Sequence, residues 1–466
     1  MVTPGAASPL DRLLRLFTDV RAGEGVTALL LASNVFLLLT CYSILKPVRE
    51  ALILGDFSAE IKSYTAAGQV LLLAIVVPLY GKLADRVSRR RLINTVTAIF
   101  TVCLLGFYAL VQAELAIGIV FFIWLGIFSV MLVAQFWGFA NDIYTKDEGE
   151  RLFPLVAFGA SFGAVVGAFI ASVLIAPFGV NQMLLVAAVL LVAQVGITNY
   201  VDRREGTSGN GNPGGDESSR SVSARAVAEA PVVDEKTAAD APIKGTSGAF
   251  ALVLRVRYLL AIAIMILLLN LVNTTGEYIL GRVVENTADA AVAEGTAGGL
   301  NVEDFIGNFY ARFHLVVNLA GLLVQLFLVS RIVKYIGARF AIMILPLIAL
   351  GGYALIAFYP VLSYIRWAKT AENSTDYSLN NTVRHMLFLP TTREQKYKAK
   401  QTVDSFFWRV GDTFSAVLVF IGTQLLVLNV TGFALVNLSF VAVWLLLAIW
   451  IGKEYKRLVD SGETPS

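Results

Sequence analysis

Arg366, Lys369, Asn373, Asp376, Asn380 and Arg384 follow one another at intervals of three or four residues. At ~100° per residue a helix gathers all six into an arc of about 80°, with Ala368, Ala371, Thr375, Leu379 and Thr382 turned away from it. Cations interleaved with carboxamides and one carboxylate can hold an anion. Guanidinium and ammonium groups bind phosphate or carboxylate oxygens, and amides satisfy the neutral parts of the same molecule. The stripe lies in a stretch, 361–384, of the length that crosses a bilayer. A charge at the bilayer centre costs about 2.5 to 3.5 kcal/mol on insertion scales, so the stripe must face a water-filled space or find internal partners.

Other ionisable residues sit where they could close such a path. Tyr42, Lys46 and Arg49 share a helical face, followed by Glu50, while Asp142, Glu277, Arg409 and Asp412 supply further charges at the ends or within apolar runs. An anionic solute competing with these carboxylates for the same cations would break internal ion pairs and release a closed state. The alternative is a facilitative or proton-coupled carrier of another solute, such as an organic anion, sugar phosphate or drug, with Asp376, Glu372 or Asp412 as the titrating group; a membrane sensor that binds ligand without moving it is a third possibility. Gly159, Gly163 and Gly167 form a G-x-x-x-G-x-x-x-G stripe, read as a helix-packing surface. His314 and His385 are read as polar packing residues.

The remaining chemistry is narrow. No G-x-x-x-x-G-K-[ST] loop, H-E-x-x-H pair or Cys/His cluster occurs, so neither ATP hydrolysis nor a metal site nor a cofactor is expected, and the chain does not read as an enzyme. The two cysteines, Cys41 and Cys103, fall inside apolar runs, which argues against a disulfide or zinc framework. A net charge of +3 over 466 residues is too small to suggest a nucleic-acid partner.

The elements that must carry these residues follow from composition. Hydrophobic residues make up 57% of the chain and charged ones 15%, against roughly 25% charged in soluble domains. The bilayer is therefore a partner. Runs of spanning length fall at about 25–45, 61–80, 92–112, 116–140, 153–177, 181–201, 257–280, 305–329, 340–359, 361–384, 404–427 and 433–452. Alternate connections hold most Lys and Arg, with Lys46, Arg49, Lys62 and Arg282 on the other side, which puts both termini in the cytoplasm. The expected plan is all-α: a tail over 1–24, a six-helix half over 25–201, a flexible cytoplasmic linker over 202–256, a second half over 257–452 and a tail over 453–466. Similar segments ending the first and seventh spans (44–50 and 279–285) suggest pseudo-symmetric halves.

The run Gly81-Lys82-Leu83-Ala84-Asp85-Arg86-Val87-Ser88-Arg89-Arg90-Arg91 resembles the signature between helices 2 and 3 of the major facilitator superfamily, which implies a twelve-helix fold of that type with the solute site between halves. More specifically, Tyr42 to Glu50, Phe136 to Tyr144 with Phe153-Pro154-Leu155, and Asp376 to Met386 through Leu389-Pro390, Lys396, Lys400 and Asp404 resemble the ATP/ADP translocases of plastids and intracellular bacteria. The likeness is greatest to the bacterial branch of NTP/NDP exchangers. It implies exchange of nucleotides without hydrolysis. It also implies roles for Arg49 and Lys46 as the basic residues ending helix 1, Asp142 as the acid after helix 4, Arg384 as the cation late in helix 10 and Glu277 as the acid of helix 7. Pro47 and His385 stand where that family has acids.

The resulting expectation is an inner-membrane antiporter of an anionic, nucleotide-type solute. Arg49, Arg366, Lys369, Asn373, Asp376, Asn380 and Arg384 would bind it; Lys46, Glu50, Asp85, Arg86, Arg89, Asp142, Glu277, Arg409 and Asp412 would gate the path.

Overall fold

The computed structural model describes residues 18–21, 23–84, 86–208 and 249–465, so Asp85 lies outside the described residues, as does most of the expected linker. The described residues are helical, with no strand among them. Their spanning helices are α1 (Gly25–Asp56), α2 (Ala59–Ala84), α3 (Arg89–Gln112), α4 (Gly118–Ile143), α5 (Lys146–Phe178), α6 (Gln182–Ser208), α7 (Arg257–Ala293), α8 (Val302–Leu323, a π-helical turn and Val329–Tyr335), α9 (Ala338–Phe358), α10, α11 and α12 (Val430–Ser461). Ten of these are long and apolar enough to cross a membrane on those grounds alone. The other two are α10, built from Leu362–Thr375, a π-helical turn Asp376–Asn380 and Asn381–Met386, and α11, which runs from Gln395 to Leu425 with π-helical turns at both ends and at Val403–Phe407. Their polar residues remove them from a hydropathy count but not from spanning length.

Two compact units emerge. Unit 1 comprises residues 1–56, 71–234 and 303–315; unit 2 comprises 57–70, 235–302 and 316–466.

In unit 1 α1 is central. It continues unbroken through Pro47 to Asp56, past the sequence-based end at 45. A proline is tolerated within a membrane helix where its surroundings can compensate for the missing N–H. Close approach of α5 is what the glycine stripe allows: a Cβ at Gly159 would stand 2.5 Å from the carbonyl oxygen of Ala32, and those at Gly163 and Gly167 would strike the carbonyls of Phe36 and Thr40. Thr40 Oγ1 donates to the Gly163 carbonyl at 3.2 Å. Between α3 and α4 the rings of Phe100, Phe107, Trp124 and Phe128 meet edge-to-face or tilted at centroid separations of 5.2 to 5.6 Å, the geometry ring quadrupoles favour.

The start of α5 is pinned from outside the membrane. Arg151 forks onto Glu24 at 2.8 and 2.9 Å, and Arg21 reaches Asp147 at 2.9 Å. The hydrogen bond from Arg151 holds the Glu24 carboxyl below the usual carboxylate range. A folded-state value below the unfolded one, about 4.3, contributes stability above that pH and loses it as pH falls through the folded value. The Tm difference between the parent and Glu24→Gln is therefore expected to be present at pH 7 and to close on acidification to pH 3, as read by thermal unfolding in detergent.

In unit 2 α7 is the counterpart of α1. It packs on α10, α11 and α12, and polar side chains mark the seams. Asn437 of α12 donates to the Val272 carbonyl at 3.1 Å, and Thr275 Oγ1 lies 3.0 Å from Ser415 Oγ of α11.

Candidate functional site

α10 is apolar at its start and polar thereafter because it does not face lipid there. From Lys369 to Thr375 nearly every residue is buried against α7 and α9. Lys369, 1% exposed, sends its ammonium toward α7, where Asn273 Oδ1 lies at 2.8 Å and the Asn273 carbonyl at 3.3 Å. Two carboxylates flank it: Glu372 Oε2 at 3.1 Å, one turn along α10, and Glu277 Oε1 at 3.5 Å, from α7. Asn373 donates to the same Glu277 oxygen at 3.0 Å, and Tyr353 of α9 donates to Glu372 at 3.1 Å. Gly276 makes the approach possible, since a Cβ there would overlap the Tyr353 hydroxyl and stand 3.0 Å from Lys369 Nζ.

One ammonium thus meets two carboxylates, with Lys369 and Glu372 buried and Glu277 26% exposed. With both acids ionised the cluster carries one surplus negative charge, an arrangement expensive in low dielectric unless each partner is hydrogen-bonded. The bonds from Asn373 and Tyr353 supply that. Such a cluster can hold together without solute and can give up its cation to a competing anion.

The rest of the six-residue stripe does not continue in line. The π-helical turn Asp376–Asn380 lodges an extra residue in α10, rotating the segment beyond it by about one residue's share of a turn, roughly 100°. Asn380 donates to Asp376 at 2.7 Å inside the turn. Beyond it Arg384 addresses α11, 3.9 Å from Asp404 and 5.0 Å above the Trp408 ring, whereas Lys369 and Asn373 address α7. Before it Arg366 is half-buried with its guanidinium 5.6 Å from the Trp367 ring. A third cluster joins α7 to α11. Asp412 accepts from Asn270 at 2.8 Å and Thr274 at 3.1 Å, with Arg409 at 3.7 Å.

In unit 1 the expected gating residues fall at two ends of the bundle. Lys46 Nζ lies 4.9 Å from the Tyr42 ring, and Arg49, 4.7 Å from the Phe122 ring, donates through Nε to buried Glu50 at 3.0 Å. At the other end Arg89 reaches Asp142 at 3.3 Å and Asp202 at 2.7 Å. Arg89 and Asp142 are 39% and 52% exposed, so that pair contributes about 0 to 1 kcal/mol; Asp202 is more buried, at 18%. Arg86 is exposed nearby.

Glu372 in its pairing role, Asn273, Gly276 and Tyr353 are site residues that sequence reasoning did not place. The first two had a signal. Glu372 is three residues from Lys369, and Asn270, Asn273, Thr274 and Glu277 form a second polar stripe at helical spacing on α7. Tyr353 and Gly276 had none.

Among known proteins, the model of the Major Facilitator Superfamily matches residues 31–371. ADP,ATP carrier protein 2 of Chlamydia trachomatis serovar D is 23% identical over 369 residues, which is 72% of this chain and 64% of that protein. In structure the chain resembles an auto-inhibited POT family peptide transporter, with a TM-score of 0.58 at 12% identity over 93% of this chain and 97% of the other. It resembles the nucleoside transporter NupG equally, at TM-score 0.58 and 14% identity over 91% and 98%.

Proposed function

Because the chain belongs to the major facilitator superfamily, we propose that it exchanges an anionic, nucleotide-type solute across a bacterial cytoplasmic membrane by alternating access. It is a multi-pass membrane protein and a secondary transporter, not an enzyme. In the proposed topology both termini and the 202–256 linker are cytoplasmic, and the six-helix halves are 25–201 and 257–452.

The observation that carries the choice of cargo is Lys369. A fully buried ammonium held by two carboxylates and by the side chain and carbonyl of one asparagine, Asn273, is costly to retain in a scaffold, and a phosphate oxygen is a stronger partner for it than an amide. A solute phosphate that takes Lys369 from Glu277 would loosen α7 from α10, coupling occupancy to movement. The likeness to an ADP,ATP carrier supports a nucleotide as the bearer of that phosphate. Arg366, Asp376, Asn380, Arg384 and Arg49 are assigned to the rest of the binding path. Lys46, Glu50, Glu277, Arg409 and Asp412 are assigned to its gates, with Asp142, Arg89, Arg86 and Asp85 at the cytoplasmic mouth. Proteoliposomes preloaded with ADP are expected to take up labelled ATP at least tenfold faster than empty ones; equal rates would remove the exchange reading.

The charge imbalance of the same cluster favours a second reading, in which Glu372 carries a proton and the solute moves with it. That reading expects uptake driven by an inward-acid pH gradient without countersolute, abolished in Glu372→Gln.

A further inference from the structure

Arg282, one turn beyond Tyr278 on α7, borders a cavity of about 600 Å³ within unit 2, at the end remote from the unit's basic connections. The start of α2, the end of α11 and the start of α12 complete its walls. Glu60 of α2 is anchored in it, accepting from the Tyr278 hydroxyl at 2.8 Å and from Arg282 Nη1 at 3.3 Å. Arg282 is 40% exposed, and its remaining N–H groups have no acceptor among the described residues. The carboxamides of Asn286 and Gln424 are likewise open, and the Tyr64 hydroxyl is buried with no hydrogen-bond partner among the described residues. The cavity therefore offers a ligand solvent-accessible donors from Arg282, Asn286 and Gln424 and one buried hydroxyl, Tyr64, whose unused hydrogen bond is costly.

Two further features narrow the occupant. The lining itself holds one guanidinium and one carboxylate; Glu285, outside it, lies 3.9 Å from Arg282 and accepts from the Ala59 N–H at 3.1 Å. A bare anion would meet Glu60 as well as Arg282, and a bare cation the reverse; a zwitterion satisfies both. The rim is apolar. Leu425, Leu426 and Val427 are 68%, 60% and 81% exposed, and Val427 holds a φ of +47°, a conformation that β-branched residues rarely adopt. An apolar tip at a helix end of a membrane protein, next to a polar floor, matches the two ends of a lipid at headgroup level.

We propose that this cavity binds the headgroup of a zwitterionic phosphatidylethanolamine. The phosphate lies on the open edge of Arg282 with Gln424 and Asn286, the ammonium turns to Glu60, and the chains lie on Leu425 to Val427. The site is independent of the cargo, so failure of nucleotide exchange leaves it standing.

Short-chain phosphatidylethanolamine, short-chain phosphatidylglycerol and chain-free glycerophosphoethanolamine are to be titrated into the purified full chain in detergent, with bound lipid read by native mass spectrometry and thermal shift. Phosphatidylethanolamine is expected to bind at least tenfold more tightly than the other two, to weaken at least tenfold in Arg282→Gln, and to lose its advantage over phosphatidylglycerol in Glu60→Gln. Should Arg282→Gln not fold, Val427→Asp at the rim is expected to weaken lipid binding by a similar factor. Equal binding of phosphatidylglycerol to the parent overturns the charge assignment. Equal binding of the chain-free compound shows a soluble solute instead and overturns the lipid. Unchanged binding in both Arg282→Gln and Val427→Asp overturns the site.

Discussion

Lys369→Met is expected to lower exchange at least a hundredfold and to destabilise the protein by about 3 to 5 kcal/mol, the usual consequence of leaving a buried charge without its partner. Both Glu277 and Glu372 would lose their cation, and Glu372, 6% exposed, has little water to substitute for it. Stability and function separate in the compensated variant. Lys369→Met with Glu372→Gln removes one charge of each sign, so thermal unfolding in detergent is expected to recover most of the loss while labelled-nucleotide exchange stays absent. Exchange at the parental rate in the compensated variant would mean that Lys369 holds helices together and nothing more.

Gly163→Leu is the second large effect, and it concerns assembly. The new Cβ would collide with the backbone of Phe36, whose Cα and carbonyl carbon lie 3.0 Å from its position, and the Thr40 bond to the Gly163 carbonyl would be lost as α5 moved off. Overpacking typically costs about 1 to 3 kcal/mol, and here the obstacle is main chain rather than a side chain able to swing aside, so the upper end is expected. Gly196→Ala on α6 is the control. Nothing lies within 4 Å of its Cβ position, and the substitution is expected to be neutral or to gain up to about 1 kcal/mol in helix propensity. Size-exclusion profiles and Tm of the two variants check both.

Much of the fold was legible because lipid imposes a simple rule on each helix. The apolar runs, the breaks at Gln112 to Glu114, Phe178 to Val180 and Tyr359-Pro360, and the packing role of the α5 glycines all follow from one segment at a time, and the structure has them. The candidate site was less legible because it depends on phase and on partners. Regular 3.6-residue periodicity puts Arg384 on the line of Lys369, but no local sequence rule announces the π-helical turn at Asp376–Asn380. The acids closing on Lys369 come from a neighbouring turn and another helix, and reading the polar spacing of α7 beside that of α10 would have paired them. Pro47 left the course of α1 open. A proline could have bent or ended α1 there, and the helix runs through it to Asp56, which keeps Tyr42, Lys46 and Arg49 on one helical stretch.

The kinked phase of α10 also bears on how a passenger meets its hosts. Lys369 and Arg384 are separated by about 20 Å along the helix at 1.5 Å per residue, and they look toward different neighbours. A triphosphate tail is too short to touch both at once. A phosphate tail using the two would meet them as successive stations, letting go of one before grasping the other, so mutating either should stall a different leg of the journey instead of weakening a single grip.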